Sequence, residues 1–272
     1  MTLRPAVERL RAAGVPDPAR DARVLFDWAY AGGAKDGPQD RDQPNRTTLD
    51  LFEIAVTERA ARRPVSQIIG RRAFWRHEFI VTGDVLDPRP DTETLVERAL
   101  SAPFARLLDL GTGSGCIVLS LLAERPEARA VAVDLSATAL TVARANAVAL
   151  GVAERLELRE GDWFSGIDGL FDLIVSNPPY IAAEEMADLA PEVRGWEPRM
   201  ALTDEADGQT AYRRIAEGAL AHLTPGGRLL VEIGPTQAAA VAGLFGGAGL
   251  VDIAVTQDID GRDRVVEARR PA

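Results

Sequence analysis

The chain predicts an α/β protein in which a mostly parallel, doubly wound sheet with helices on both faces follows a small helical unit. Three observations predict it. Short apolar runs alternate with helical periodicity from residue 105 to 233, a glycine-rich loop joins the first of those runs to a helix, and the last two runs are too close in sequence to pair in parallel.

The N-terminal part comes first. Val7, Leu10 and Ala13, then Ala22, Leu25, Phe26 and Ala29, recur at three- and four-residue steps over 4–31, so this stretch reads as helices broken between Gly14 and Pro18. Residues 32–45 are rich in Gly, Asp, Gln and Pro and poor in apolar side chains, which predicts a mobile surface loop. A third helix is expected over 47–62. Arg62, Arg63, Arg71 and Arg72 read most simply as a solvated charged face.

Over 73–86, Phe74, Phe79, Val81, Val85 and Leu86 surround a Thr-Gly-Asp turn signal, which predicts a hairpin. The expected organisation is a helical substrate-recognition domain at 1–72, a hairpin linker at 73–88 and a large domain at 89–272. Within the large domain the expected strands are 105–110, 129–134, 155–160, 170–176 and 227–233. The runs 251–257 and 263–270 are separated only by Asp-Ile-Asp-Gly and must form an antiparallel hairpin.

Composition narrows the function. Forty-one acidic against 31 basic residues give a net charge of −10, which argues against a protein whose affinity rests on neutralising phosphates. A single cysteine, Cys116, excludes an internal disulfide, and two histidines, His77 and His222, are too few for a Cys/His zinc cluster. No apolar run reaches membrane-spanning length and the N-terminus lacks the pattern of a signal peptide, so a cytoplasmic protein without membrane contact is expected.

Two segments carry the chemistry. The first strand of the large domain ends in Asp109-Leu110-Gly111-Thr112-Gly113-Ser114-Gly115 and passes directly into a helix. Glycines there allow a sharp turn and bring a ligand close to backbone N–H groups at the helix start. The spacing is not the dinucleotide G-x-G-x-x-G. Asp134 ends the second strand, where a carboxylate can accept hydrogen bonds from both hydroxyls of an unphosphorylated ribose. Asp162 and Trp163 follow the third strand, beside the position an adenine would take, although Trp163 taken alone reads as core.

The second segment is Asn177-Pro178-Pro179-Tyr180, at the C-terminal end of the run 170–176. Two prolines fix the backbone and remove two donors, so the turn is rigid and its carbonyls act only as acceptors. A planar NH2 group could donate to the Asn177 side-chain oxygen and the Pro178 carbonyl while packing on Tyr180. Such a nitrogen is a poor nucleophile, so alignment and hydrogen bonding must supply most of the catalysis.

With these motifs on the page, the chain resembles the HemK/PrmC family of release-factor glutamine methyltransferases from about residue 60 to the end. The supporting pieces are PVSQIIG at 64–70, AFW at 73–75, VLDPRPDTETLV at 85–96, VRGWEP at 193–198, PGGRLLVEIG at 225–234 and GRDRVV at 261–266. The N-terminal helices match it only in general character.

The resemblance implies a class I, Rossmann-like methyltransferase domain with a seven-stranded, mostly parallel sheet and S-adenosyl-L-methionine as cofactor. It also implies as partner the Gly-Gly-Gln loop of peptide chain release factors. By motif, Gly111, Thr112, Gly113, Ser114 and Gly115 would wrap the methionine part, Asp134 would hold the ribose and Trp163 would lie near adenine. Asn177, Pro178, Pro179 and Tyr180 would bind the glutamine and form the catalytic element, with Asn177 also touching the cofactor. The segment Arg89 to Glu93 reads as a charged helix start, and its position near the site in the family leaves a supporting role open beside that reading.

Gln67 and Asp87 depart from the family pattern, which bears on local packing or docking. A ribosomal-protein glutamine, or an exocyclic amine of a nucleobase, would fit the same tetrapeptide. A non-catalytic binding module, or a dehydrogenase built on the same sheet, is the reading from another class.

Overall fold

The computed structural model of the protein describes residues 2–36 and 40–272. The chain folds into two compact units, one made of Met1–Arg71 and Leu189–Trp196, the other of Arg72–Asp188 and Glu197–Ala272.

In the helical unit, α1 (Arg4–Ala12) and α2 (Pro18–Gly33) are separated by the break expected around Gly14. Pro18 starts α2 at a position whose N–H would be unpaired anyway, and the Asp17 side chain accepts from the Arg20 amide at 3.2 Å. The loop expected from residue 32 begins later. Helix α2 runs through Gly33 and a 3₁₀ turn covers Ala34–Asp36, while residues 37–39 of that expected loop lie outside the described residues.

Asn45 explains the extension. Its Nδ2 donates to the Gly33 carbonyl at 2.8 Å and its Oδ1 accepts from the Thr48 amide at 2.9 Å, so one side chain closes α2 and caps α3 (Arg46–Ala60). A short helix α4 (Val65–Ile69) follows. Leu10, Leu25, Phe26, Phe52 and Val56 form the core of this unit, with the Phe26 and Phe52 rings edge to face at 5.4 Å.

The large unit opens with a two-stranded hairpin, β1 (Arg71–Phe74) and β2 (His77–Ile80). Its turn is Trp75-Arg76, not the Thr-Gly-Asp signal at 82–84. Tertiary contacts decide this: Trp75 adopts φ 54°, its N–H donates to Glu93 at 2.7 Å and its indole N–H to Glu124 at 3.1 Å. Thr82 to Asp84 form a separate turn closed by the Thr82 hydroxyl on the Asp84 carboxylate at 3.0 Å.

The remaining elements are α5 (Glu93–Leu100), β3 (Arg106–Leu110), α6 (Cys116–Glu124), β4 (Arg129–Asp134), α7 (Ala137–Ala149), β5 (Leu156–Glu160), β6 (Phe171–Ser176), α8 (Pro191–Trp196), α9 (Thr210–His222), β7 (Leu223–Glu232), α10 (Ala238–Gly247), β8 (Val251–Gln257) and β9 (Asp263–Arg269). The sheet has seven strands in the order β5-β4-β3-β6-β7-β9-β8, parallel except for β9, which pairs antiparallel with both neighbours.

Strand alternation sorts the two faces. Leu107, Leu173, Val175 and Leu230 pack on one side with Leu95, Val96, Ile117 and Leu121. Leu108, Ile174, Leu229 and Val231 pack on the other with Tyr212, Ile215, Val241 and Phe245. Each such large side chain contributes about 1.5–3 kcal/mol on burial. Across the β7–β9 pair lies a buried ion pair, Arg228 to Glu267 at 2.9 Å, with Arg98 on the other carboxylate oxygen at 2.5 Å.

Helix α8 is counted with the helical unit although it follows β6 in sequence. Its Glu192 accepts from Arg59 at 3.0 Å and Arg62 at 2.7 Å, and Arg59 also reaches Asp21 at 2.7 Å. The Trp196 carbonyl takes the Gln67 amide at 3.0 Å, its indole N–H reaches the Ala61 carbonyl at 3.3 Å, and Arg63 lies over its ring. Arg62 and Arg63 are therefore engaged side chains, not the solvated face expected of them, because a sequence-distant carboxylate and indole come to meet them. The departure at Gln67 has a structural account, since its buried amide anchors this helix.

Candidate functional site

Parallel strands present their C-terminal ends on one edge of the sheet, and the order places β3 between β4 and β6. The connections leaving β3 and β6 therefore start side by side at the point where the strand order reverses, the usual ligand crevice of such sheets. Ser176, the last residue of β6, donates its hydroxyl to the Leu110 carbonyl at the end of β3 at 2.7 Å and ties the two exits together.

A cavity of about 480 Å³ opens there. Its wall includes Gly111, Thr112, Gly113 and Ser114 of the glycine loop, Asp134 at the end of β4, Asp162 and Trp163 after β5, and Asn177 and Pro179 after β6. Residues 84–89, Thr92, 198–201 and 203–205 also line it. This volume suits a nucleoside-sized ligand with a polar tail.

The glycine loop has positive φ at Gly111 (72°), Gly113 (55°) and Gly115 (80°). A Cβ built at Gly111 or Gly113 would meet nothing within 4 Å, so bare backbone faces open space at both. At Gly115 a Cβ would lie 2.9 Å from Leu119, and Gly115 is absent from the cavity wall. Gly115 takes φ 80° as the chain turns directly into α6.

Asp134 accepts from the Gly113 amide at 2.8 Å and the Ser136 amide at 2.9 Å, so the loop is braced against the carboxylate. Burial raises the Asp134 pKa, with the Ser136 and Gly113 amides opposing. Asp109 is wholly buried behind the loop and accepts from the Thr112 hydroxyl at 2.7 Å; burial pushes its pKa up to about 7. Cys116 lines the cavity, yet burial pushes its thiol up to about 12, which keeps it protonated and inert. Trp163 adopts φ 51°, a strained conformation for an aromatic residue, as it turns along the wall.

The tetrapeptide divides. Asn177 and Pro179 line the cavity, whereas Pro178 is buried and Tyr180 packs against the core beside it. Asn177 Nδ2 donates to the Thr92 hydroxyl oxygen at 3.2 Å. Burial, with Glu232 nearby, pushes the Tyr180 phenol up to about 12, so it stays neutral.

Three residues that sequence reading did not single out hold this turn. Gln237 donates to the Tyr180 carbonyl at 2.9 Å while its Oε1 accepts from the Gly234 amide at 2.9 Å and the Tyr212 hydroxyl at 3.1 Å. Gly208, at φ 72°, passes so close that a Cβ there would sit 2.3 Å from the Tyr180 carbonyl oxygen. Asp204 accepts from the amides of Ala206 (2.9 Å), Gly208 (3.0 Å) and Thr210 (2.8 Å), which sets the path of that passage. An Asp-to-Gly-to-Thr spacing before a helix is an N-terminal signal, but its link to Tyr180 is purely tertiary.

The segment Arg89 to Glu93 is more than a helix start. Arg89 pairs with the buried Glu197 at 2.5 Å, Asp91 with Arg264 at 3.3 Å and Arg262 at 3.4 Å, and Glu93 receives the Trp75 amide. The β8–β9 hairpin thus reaches the cavity rim through charge pairs.

Known proteins resemble this chain throughout. The family model of the methyltransferase small domain matches residues 74–192, and that of the PrmC N-terminal domain matches residues 2–70. The second match extends the likeness into the helices that resembled the family only in general character. A release factor glutamine methyltransferase of Cereibacter sphaeroides is 57% identical over 281 residues, covering 99% of this chain and 98% of its own. One of Rhodospirillum rubrum is 45% identical over 270 residues, covering 97% of this chain and 82% of its own. The crystal structure of a methyltransferase from Pyrococcus furiosus shares the fold at a TM-score of 0.57 and 15% identity, covering 83% of this chain and 100% of its own.

Proposed function

The chain belongs to the HemK/PrmC family of release factor glutamine methyltransferases, and on that premise we propose that it methylates the side-chain amide nitrogen of the glutamine in the Gly-Gly-Gln motif of peptide chain release factors, with S-adenosyl-L-methionine as donor. The observation that carries the reading is the Asn177 amide at the exit of β6, in one cavity with the glycine loop of β3 and the Asp134 carboxylate of β4.

The residues present fit the donor. Open space beside Gly111 and Gly113 leaves room for a ligand against bare backbone, and Asp134 offers acceptor oxygens to a ribose. Trp163 lends an apolar wall to an adenine. Once bound, S-adenosylmethionine supplies an electrophilic methyl group that needs no acid to activate it.

The chain's own residues do the rest. Asn177 accepts one hydrogen of the glutamine NH2 through its side-chain oxygen, and the carbonyl of Pro178 is the expected acceptor for the second. Holding both hydrogens as acceptors draws charge toward nitrogen as the new bond forms and fixes its direction of approach. Tyr180 stays neutral beside the turn, with its carbonyl clamped by Gln237. The helical unit would grip the folded factor, since a tripeptide offers little side-chain surface for recognition. A substrate that acts in translation supports a cytoplasmic setting for the reaction.

The test is to incubate the protein with labelled S-adenosylmethionine and, separately, a release factor, ribosomal proteins, DNA and RNA, and to map any methyl group by peptide mass. Label on the Gly-Gly-Gln glutamine, lost in Asn177→Ala, is expected. Label confined to nucleic acid or to a ribosomal protein would overturn the assignment.

A further inference from the structure

Arg89 stands between Pro88 and Pro90, with φ −101° and ψ 141°. A residue before proline is held to extended backbone, so the chain itself sets where this side chain leaves the wall. Its Nη2 donates to both oxygens of Glu197, at 2.5 and 2.7 Å, and the Glu197 side chain is 1% exposed. One buried carboxylate thus fixes the guanidinium through a single nitrogen. Arg89 lines the cavity, and its Nε and Nη1, with three further N–H bonds, have no partner among the described residues.

The rest of the wall is poor in donors for an anion. It carries six carboxyl side chains, of Asp84, Asp87, Asp134, Asp162, Asp204 and Glu205, against two guanidinium groups. The second guanidinium, of Arg199, is clasped by Glu205 in an exposed pair, Nε to Oε1 at 2.5 Å and Nη2 to Oε2 at 2.8 Å. Nor does the glycine loop make up the deficit. The Gly111 and Thr112 amides donate to the Val133 carbonyl at 2.9 and 3.0 Å, the Gly113 amide to Asp134 at 2.8 Å, and the Gly115 amide to the Thr112 carbonyl at 2.8 Å. Of the five loop amides, only that of Ser114 is uncommitted among the described residues.

S-adenosylmethionine brings two positive groups, its sulfonium and its ammonium, and one negative group, the α-carboxylate of its methionine part. The positive groups suit a wall rich in carboxyl side chains. The carboxylate does not, because a charge taken from water into such a crevice is costly unless an opposite charge meets it. We propose that Arg89 binds this α-carboxylate with the N–H groups that Glu197 leaves available, and that Glu197 is the positioning residue that holds the guanidinium for it. The planar donors of an arginine match a carboxylate better than a single amide can. The proposal rests on the reading that S-adenosylmethionine occupies this cavity, and it names the residue that recognises the amino-acid end.

The experiment measures calorimetric Kd values for two ligands, S-adenosylhomocysteine and its decarboxylated analogue, which keeps the adenosine, the thioether and the ammonium. The proteins are wild type, Arg89→Met, and the double variant Arg89→Met with Glu197→Gln. Wild type should bind S-adenosylhomocysteine at least about tenfold more tightly than the analogue, the lower end for hydrogen bonds to a charged group. Arg89→Met should abolish that preference, weakening S-adenosylhomocysteine by the same factor while leaving the analogue within about twofold.

Wild type binding the two ligands equally, or Arg89→Met keeping the preference, would overturn the proposal. A variant that weakens both ligands alike would overturn it too, since Arg89 would then only keep the wall in shape. Should Arg89→Met fail to fold with Glu197 unpaired, the double variant, which buries no charge there, decides by the same comparison. Wild type that binds neither ligand would bring down the cofactor reading together with the role of Arg89; wild type that binds both without preference brings down the role of Arg89 alone.

Discussion

The Asp134 carboxylate accepts the backbone amide of Gly113 across 2.8 Å, so the residue expected to bind the ribose also braces the loop expected to bind the methionine part. Asp134→Ala removes both functions. Hydrogen bonds to charged groups contribute about 1.5–3 kcal/mol, which corresponds to roughly 10- to 150-fold weaker binding of S-adenosylhomocysteine by calorimetry. Asp134→Ala binding as tightly as wild type would remove Asp134 from the site.

Gly208→Ala tests how tightly the tetrapeptide is held. A Cβ there would lie 2.3 Å from the Tyr180 carbonyl oxygen at a backbone φ of 72°. The turn carrying Asn177 must shift, and misplacement on the ångström scale costs on the order of 100-fold in rate. Methyl transfer should fall by that order while the far-UV circular dichroism is unchanged. Retained turnover would show that the turn tolerates displacement.

Glu267→Ala leaves Arg228, 4% exposed, facing its partner's vacancy at the β7–β9 pair. Breaking one side of a buried ion pair costs about 3–5 kcal/mol. Urea unfolding should show a loss of that size, and the paired change Arg228→Met with Glu267→Leu should recover much of it. A loss below about 1 kcal/mol would mean that water or Arg98 rearrangement relieves the site.

Glu232 gives a pH dependence with a defined sign. Burial raises its pKa from 4.5 to about 7, so between these values the folded protein keeps a proton that the unfolded chain has released. The stabilising share of this group is complete below pH 4.5 and is lost as pH rises through about 7. Asp109, raised from 3.8 to about 7, acts in the same direction. Glu232→Gln should therefore flatten part of the fall in Tm between pH 4.5 and about 7, the window set by this shift. An unchanged slope would place the proton elsewhere.

Glu192 has the opposite sign. Burial works against its ionisation, but the Arg62 and Arg59 hydrogen bonds hold its pKa below 4.5. Its share is present above that value and lost as pH falls further. Glu192→Gln should reduce stability at neutral pH and make less difference in acid, which thermal melts at both pH values would show.

Much of the fold was legible because strands and helices differ in period. Leu107 and Leu108 go to opposite faces as alternation requires, and the short link before β9 forced the terminal hairpin. The Trp75-Arg76 turn was hidden because Glu93 and Glu124, remote in sequence, stabilise a conformation that Trp75 does not favour by itself.

At the site, Asp134 and Asn177 stand out because a strand end is recognisable from sequence. Gln237 and Gly208 do not, because each works by touching Tyr180 from another element.

Helix α8 returns to the first unit after the chain has already built most of the sheet. Inheritance of that unit as a module is therefore awkward: a single crossover near residue 72 would bring new partners for Arg59, Arg62 and Gln67 while keeping the old Glu192 and Trp196. A viable exchange needs two crossovers or matched changes at both places. Substitutions in 189–196 should track substitutions in the first 71 residues across lineages, even though β3 to β6 lie between them in the gene.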